Sequence, residues 1–294
     1  MSAISRAHMR SIVRTALAED LSQGDVTTSS LFPSSIGARA TIRAHHPMTV
    51  AGIAVAKEVF RAVDASLRIT QCVADGALVK KGTVVMTIEG DGRSLLMAER
   101  VAVNFLQHLS GVATLTAHFC QAVQGLPTKI LDTRKTTPGL RRLEKWAVAL
   151  GGGTNHRFSL GDAILIKDNH LSLLRHQEGI DVTGACTRAR RTRRRKFKIE
   201  VEAKTLDEVN QALAGHADTI LLDNMSPALA RRAVSLVHGR ALVEVSGGIT
   251  LKTVRRMARS GADFISVGAL THSAAAADLS MDVLPLRRIG RHPR

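Results

Sequence analysis

The sequence predicts an α/β protein: an incomplete, irregular parallel α/β barrel of about six strands, joined to an N-terminal α+β domain. Three observations predict it. Short apolar runs of strand length recur through the second half of the chain, each closed by a polar or glycine-rich turn. The ends of these runs carry chemistry: Lys129-Ile-Leu-Asp-Thr-Arg-Lys135, Ala163-Ile-Leu-Ile-Lys-Asp-Asn-His170, Ile199-Glu-Val-Glu202, Thr219-Ile-Leu-Leu-Asp-Asn224, Leu242-Val-Glu-Val-Ser-Gly-Gly248 and Phe264-Ile-Ser-Val-Gly268. In a parallel α/β barrel the C-terminal strand ends share one face, where active sites form. The first hundred or so residues differ, with short strand patterns and paired glycines instead of βα repeats.

Taken in order, residues 4–21 have the apolar spacing of an amphipathic helix, built on Ile4, Met9, Ile12, Val13, Ala16 and Leu17. A polar loop is expected over 19–28. Short strands are expected within 38–56 and 67–93, with a helix over 57–65 between them. The glycines and paired apolar runs of 73–90 predict a small barrel-like hairpin module. A long helix is predicted from Arg93 to Gln124, with Ser110-Gly111 a break or a point of close packing. Arg100 falls off its apolar stripe, which by spacing alone places it in a surface salt bridge. From Thr136 a turn is expected to continue as a helix, with Pro138 near its first turn and Gly151-Gly-Gly153 ending it. The domain boundaries expected are 1–112 for the α+β domain and 113–270 for the barrel, with the tail 271–294 packing back on the first domain.

At 294 residues the chain can bury a full core, and no apolar run is long enough to span a bilayer. The first residues lack the apolar segment of a secretory signal, and three cysteines without metal-ligand spacing argue against a disulfide framework, so a cytoplasmic protein is expected. The net charge of +16 would favour polyanions. Aromatic residues are only 3 %, however, which leaves few platforms for base stacking, and nucleic acid is not expected as a partner. Much of the excess lies in a basic block at 188–198 and a tail at 287–294; the block is expected to be an exposed helix.

The cations at strand ends point elsewhere. Arg134, Lys135, His156, Arg157 and Lys167 would converge on one mouth and repel one another without an anion between them. Arginine forks match carboxylates bidentately, so a small, multiply anionic substrate is expected. Glu202 and Asp223, on successive strand ends, bring negative charge to the other side. They can hold Mg²⁺, bind sugar hydroxyls or stabilise a developing positive charge, and a structural pair with Lys204 is the alternative. Ser246-Gly-Gly248 and Val267-Gly-Ala269 end the last two strands, where small residues expose backbone N–H groups to phosphate at helix N-termini.

Together these stretches resemble the quinolinate phosphoribosyltransferases, also called carboxylating nicotinate-nucleotide pyrophosphorylases. The resemblance runs in order through Glu19-Asp-Leu21, Gly24-Asp-Val-Thr-Thr28, Glu99-Arg-Val-Ala-Val-Asn-Phe-Leu-Gln107, Asp132-Thr-Arg-Lys-Thr-Thr-Pro-Gly-Leu-Arg141, Glu144-Lys145 and Gly151-Gly-Gly153 with His156-Arg157. It continues through Leu165-Ile-Lys-Asp-Asn-His170, Glu200-Val-Glu202, Leu222-Asp-Asn224, Glu244-Val-Ser-Gly-Gly248 and Val267-Gly-Ala-Leu-Thr-His272. It implies transfer of phosphoribose from phosphoribosyl pyrophosphate to quinolinate, giving nicotinate mononucleotide, carbon dioxide and pyrophosphate, with Mg²⁺ as cofactor. It also implies that Arg134, His156, Arg157 and Lys167 hold the two quinolinate carboxylates, with Thr133 and Lys135 beside them. Glu202 and Asp223 would meet ribose and Mg²⁺; Ser246, Gly247, Gly248, Val267, Gly268 and Ala269 would meet phosphate. By the same resemblance Arg100 reaches the site of a neighbouring subunit in a homodimer, or in a hexamer built as a trimer of dimers. The chain departs from the family in Trp146, expected as a tyrosine-type aromatic, and in the richness of the basic block. Two other readings are a same-fold paralogue with another acceptor, which should lack part of the cationic set, and a nucleic-acid-binding protein, whose binding should fall steeply with salt.

Overall fold

The computed structural model describes residues 4–192 and 197–286, which divide into two compact units. The chain opens with α1 (Arg6–Asp20), α2 (Val26–Leu31), β1 (Gly37–Ala44), β2 (Met48–Thr49), α3 (Ile53–Val63), β3 (Arg68–Cys72), β4 (Leu78–Val79), β5 (Val84–Asp91) and α4 (Gly92–Ala122). It continues with β6 (Lys129–Leu131), α5 (Arg141–Leu150), β7 (Ile164–Ile166), α6 (Asp168–Glu178), α7 (Val182–Thr192), β8 (Ile199–Ala203) and α8 (Leu206–Ala214). Then come β9 (Thr219–Asp223), α9 (Pro227–Val237), β10 (Leu242–Ser246), α10 (Val254–Ala258), β11 (Phe264–Ser266), α11 (Ala269–His272) and β12 (Leu279–Pro285).

The first unit comprises residues up to 115 together with 142–151 and the segment from 274 onward. Its centre is an antiparallel sheet in the order β12-β1-β5-β3, so residues 279–285 complete a sheet begun near the N-terminus. On β1, Ala38, Ala40, Ile42 and Ala44 alternate into the core, as a half-buried antiparallel strand requires. The helix expected over 4–21 is α1, started by Ser5, whose hydroxyl accepts from His8 N, and buried through Val13 and Leu17.

Three local expectations fail here. The polar loop over 19–28 gives way to α2, because Asp25 accepts from Thr28 N at 2.8 Å and caps a new helix. The helix expected from Lys57 begins at Ile53. Asp75, distant in sequence, accepts from the N–H groups of Gly52, Ile53 and Ala54 at 2.7, 2.9 and 3.1 Å, satisfying the orphan donors of that end. Residues 73–90 do not pair as their own hairpin: β4 pairs with β2, and β5 lies between β1 and β3.

Helix α4 is continuous through Ser110-Gly111, and the reason for the glycine is close packing. A methyl group at Gly111 would lie on the backbone carbonyl of Ala275, which no rotamer change can move aside. We expect Gly111→Ala to destabilise the protein by about 2 kcal/mol, overpacking outweighing the better helix propensity of alanine. Thermal unfolding reads this directly; an unchanged or raised Tm would contradict it.

The second unit, residues 116–141 and 152–273, holds a parallel sheet of six strands in the order β6-β11-β10-β9-β8-β7. Chain-order neighbours pair from β7 through β11, and β11 then pairs with β6. The sheet is thus a barrel course open between its first two strands, an incomplete barrel of six strands as the sequence predicts. β8 is buried along its whole length, the mark of a parallel strand covered on both faces. The register aligns Glu202 with Leu221 and Leu221 with Glu244, and Asp223 with Ser246. Side chains two apart share a face, so Glu200 lies on the face of Glu202 and Glu244 on that of Ser246. Of the basic block, residues 188–192 end α7, where Arg188 pairs with Glu178 at 2.6 Å; Arg190 of that helix and Lys198, just before β8, pair with Asp218 at 3.6 and 3.4 Å. Residues 193–196 of the block and 287–294 of the tail lie outside the described residues.

Candidate active site

A cavity of about 620 Å³ opens at the C-terminal ends of the barrel strands, within the second unit. Thr133, Arg134, Lys135, His156, Arg157, Lys167, Glu202, Asp223, Ser246, Gly247 and Gly248, all expected from the sequence, line it. A larger groove of about 1010 Å³ lies among Asp218, Leu242 and Asp263, at the opposite strand ends, where barrel enzymes seldom place chemistry.

The cationic wall is built from three segments. The loop after β6 bears Arg134 and Lys135, and it is fixed by Lys135 N donating to Thr133 Oγ1 at 3.0 Å and by Thr271 Oγ1 donating to Lys135 O at 2.7 Å. Arg134 Nε is buried and has no hydrogen-bond partner among the described residues. The loop beyond the triple glycine is held from below by Asp132, fully buried, which accepts from His156 N at 2.8 Å and from Asn155 Nδ2 at 2.7 Å. Arg157 crosses to Ala163 O at 3.0 Å. Burial first, and then the charge of Arg134, push its pKa down, the sign expected of cations crowded without an anion.

Lys167 ends β7 and does not stand alone: its Nζ lies 2.7 Å from Glu202 Oε1, while Glu202 Oε2 accepts from Asp168 N at 3.1 Å. The alternative pairing of Glu202 with Lys204 is not what forms; Lys204 Nζ lies 2.9 Å from Asp168 Oδ2. Asp223 ends β9, and Asn224 Nδ2 donates to its Oδ1 at 3.2 Å.

His156 is the most surprising member. Its Nε2 lies 3.0 Å from Glu200 Oε2 and 3.5 Å from Glu244 Oε2, both buried within the barrel. Burial of the ring acts to lower its pKa, whereas hydrogen bonds to Glu200 and Glu244 and their charge act to raise it. Arg157 N donates to Nδ1 at 2.8 Å, which needs the lone pair of that nitrogen. The ring proton therefore resides on Nε2, facing Glu200, whose own pKa burial raises. Glu200 and Glu244 were within reach of the sequence: alternation in Ile199-Glu-Val-Glu202 and Leu242-Val-Glu-Val-Ser246 puts each on a cavity-bearing face, one step deeper.

The glycine turns are only partly as expected. Gly247 and Gly248 have φ of 95° and 60°, and any side chain at Gly247 would strike Asn224. These turns carry the chain away from β10 before α10 starts at Val254, so N–H groups there belong to a turn, not to a helix N-terminus. Val267, Gly268 and Ala269 are not among the cavity-lining residues. Gly268 packs so closely that a Cβ would meet His272 Nε2 at 3.0 Å and Lys135 Cδ at 3.1 Å. Arg100 lies on α4 in the first unit, with its side chain 60 % exposed and the adjacent Glu99 within ion-pair range at 3.7 Å.

Comparison with known proteins agrees with this geometry. The quinolinate phosphoribosyl transferase N-terminal domain matches residues 25–110, and the C-terminal domain of the same family matches 112–282. The chain is 38 % identical over 280 residues to a probable carboxylating nicotinate-nucleotide pyrophosphorylase of Bacillus subtilis, covering 95 % of each. It is 39 % identical to a chloroplastic carboxylating nicotinate-nucleotide pyrophosphorylase of Arabidopsis thaliana, covering 94 % of this chain and 82 % of that one. The nicotinate-nucleotide pyrophosphorylase structure from Francisella tularensis superposes with a TM-score of 0.90 at 38 % identity, covering 96 % of this chain and 98 % of that one. The NadC structure from Streptococcus pyogenes gives a TM-score of 0.91 at 38 % identity, with 98 % and 100 % covered. With both domains matched over nearly its whole length, the chain belongs to the quinolinate phosphoribosyltransferase family.

Proposed function

We propose that the cavity binds quinolinate on its cationic side and phosphoribosyl pyrophosphate on its acidic and glycine-rich side. The reaction is that of the family: quinolinate and phosphoribosyl pyrophosphate give nicotinate mononucleotide, carbon dioxide and pyrophosphate, in NAD biosynthesis. The observation that carries the assignment is the crowding of Arg134, Lys135, Arg157 and Lys167 on one wall, with Arg134 Nε buried and unpaired among the described residues. A dicarboxylate supplies the missing acceptors bidentately and offsets the charge of Arg134, which after burial lowers the pKa of Arg157.

The chemistry then follows from charge. As the ribose C1–oxygen bond to pyrophosphate breaks, positive charge develops on the sugar, and Glu202 and Asp223 stand at neighbouring strand ends to stabilise it. The quinolinate ring nitrogen attacks C1. The bond to the adjacent carboxylate then breaks, its electron pair staying on the ring carbon beside the cationic nitrogen; carbon dioxide leaves, and a proton from solvent takes its place on that carbon. The N–H groups of the Gly247-Gly248 turn and the Lys135 ammonium are placed for the departing phosphates. No side-chain nucleophile is required; positioning and electrostatics supply the rate.

Two carboxylates from adjacent strand ends are the donor set of a hard cation held partly by substrate oxygens, so the residues fit Mg²⁺, with Asp223 and Glu202 as its protein ligands. Mg²⁺ there would offset the charge of the pyrophosphate. The exposed guanidinium of Arg100 supports a homodimer in which it completes the neighbouring site, or a hexamer of such dimers. No helix among the described residues is long and apolar enough to cross a membrane; a cytoplasmic location is part of this proposal. The assignment is tested by incubating the purified protein with both substrates and Mg²⁺. Nicotinate mononucleotide, pyrophosphate and carbon dioxide should form in equal amounts, and mononucleotide without carbon dioxide would contradict it.

A further inference from the structure

We infer that Glu200 and Glu244 are positioning residues for the acceptor half of the site, holding the His156 imidazole and, through it, the Arg157 segment. The inference rests on the phosphoribosyltransferase reading for its kinetic consequences, and on geometry alone for the ring. Every polar group of the His156 unit that could orient it is engaged inside the barrel. Nε2 lies 3.0 Å from Glu200 Oε2 and 3.5 Å from Glu244 Oε2, Nδ1 accepts from Arg157 N at 2.8 Å, and His156 N donates to Asp132 Oδ1 at 2.8 Å. The ring is thus a spacer between an acidic floor and the Arg157 peptide. Both ring nitrogens have partners within the protein.

Glu200 is 7 % and Glu244 2 % exposed. Carboxylates buried this deeply cost stability relative to apolar residues of similar size unless donors offset the desolvation. Packing alone gives no reason for two of them in adjoining layers of one barrel interior. Their common described partner is the His156 Nε2–H, and the chain segment it orients carries Arg157, whose guanidinium lies on the cationic wall. The second oxygen of Glu200 is buried without a hydrogen-bond partner among the described residues, which leaves the imidazole as the anchor of that carboxyl.

The test uses Glu200→Ala and Glu244→Ala beside Glu200→Gln and Glu244→Gln in the full-length enzyme. Loss of an acceptor for the ring should raise KM for quinolinate roughly tenfold to a hundredfold, with KM for phosphoribosyl pyrophosphate within about twofold of the parent. Glutamine keeps an acceptor oxygen and should restore most of the loss. Equal damage to both KM values, or alanine variants indistinguishable from the parent, would overturn the inference. Because an alanine variant can fail to fold, long-range ¹H–¹⁵N spectra of the parent provide an independent readout, with His156→Gln used for assignment. The ring should be protonated on Nε2 and bare on Nδ1; a proton on Nδ1 would overturn the inference whatever the kinetics. A parent enzyme inactive on quinolinate would instead sink the phosphoribosyltransferase reading and leave the spectra to decide the ring's role.

Discussion

Arg134→Ala is expected to lower kcat/KM for quinolinate by about 10²–10³-fold, the loss of one bidentate, charge-assisted pair from a partly desolvated pocket. The buried Nε of Arg134 has no partner among the described residues, so truncation removes a group prepared for a ligand and breaks no hydrogen bond of its own side chain. Stability should consequently change little while acceptor binding collapses. Arg134→Lys should recover only part of the activity, since an ammonium cannot present the planar fork. Steady-state kinetics with each substrate varied in turn check the point. A normal KM for quinolinate in Arg134→Ala would remove Arg134 from the acceptor wall.

Glu202→Gln is expected to act on the chemical step, lowering kcat by about 10²–10³-fold through lost stabilisation of positive charge on the sugar. The substitution keeps shape but removes the charge that holds Lys167 Nζ at 2.7 Å. The freed lysine would still be available to a substrate carboxylate, so KM for quinolinate should not rise with the fall in kcat. Single-turnover measurements separate the two effects. A variant whose KM for quinolinate rises while kcat is preserved would recast Glu202 as a spacer for Lys167 and nothing more.

The barrel was legible because parallel strands advertise themselves twice, by apolar runs such as Ile164–Ile166 and by functional residues at their ends. Lys167, Glu202 and Asp223 were found for that reason, and the triple glycine led to His156 and Arg157. What escaped depended on residues remote in sequence. Asp75 moves the start of α3 by capping it from another part of the chain, and β5 chooses β1 and β3 as neighbours where local pattern suggested a hairpin. Glu200 and Glu244 escaped for a different reason: attention went to residues at strand ends, whereas these lie one step deeper and their partner comes from the loop at 155–156. Period-two alternation in β8 and β10 held the missing information, since it sends Glu200 and Glu244 to the same interior as Glu202 and Ser246. Glycines at 247 and 248 were recognised as a phosphate-type turn, but their left-handed dihedrals delay the helix that was expected to follow at once.

The most direct test of a site built to read two carboxylates is acceptor competition. Purified protein, phosphoribosyl pyrophosphate and Mg²⁺ are given quinolinate and nicotinate together, and the source of the mononucleotide is traced by isotopic label. Product drawn from quinolinate, with nicotinate neither consumed nor strongly inhibitory, is the predicted result. Product drawn from nicotinate would contradict it, because a ring with a single carboxylate cannot satisfy the cations that Arg134, Arg157 and Lys167 bring to the cavity.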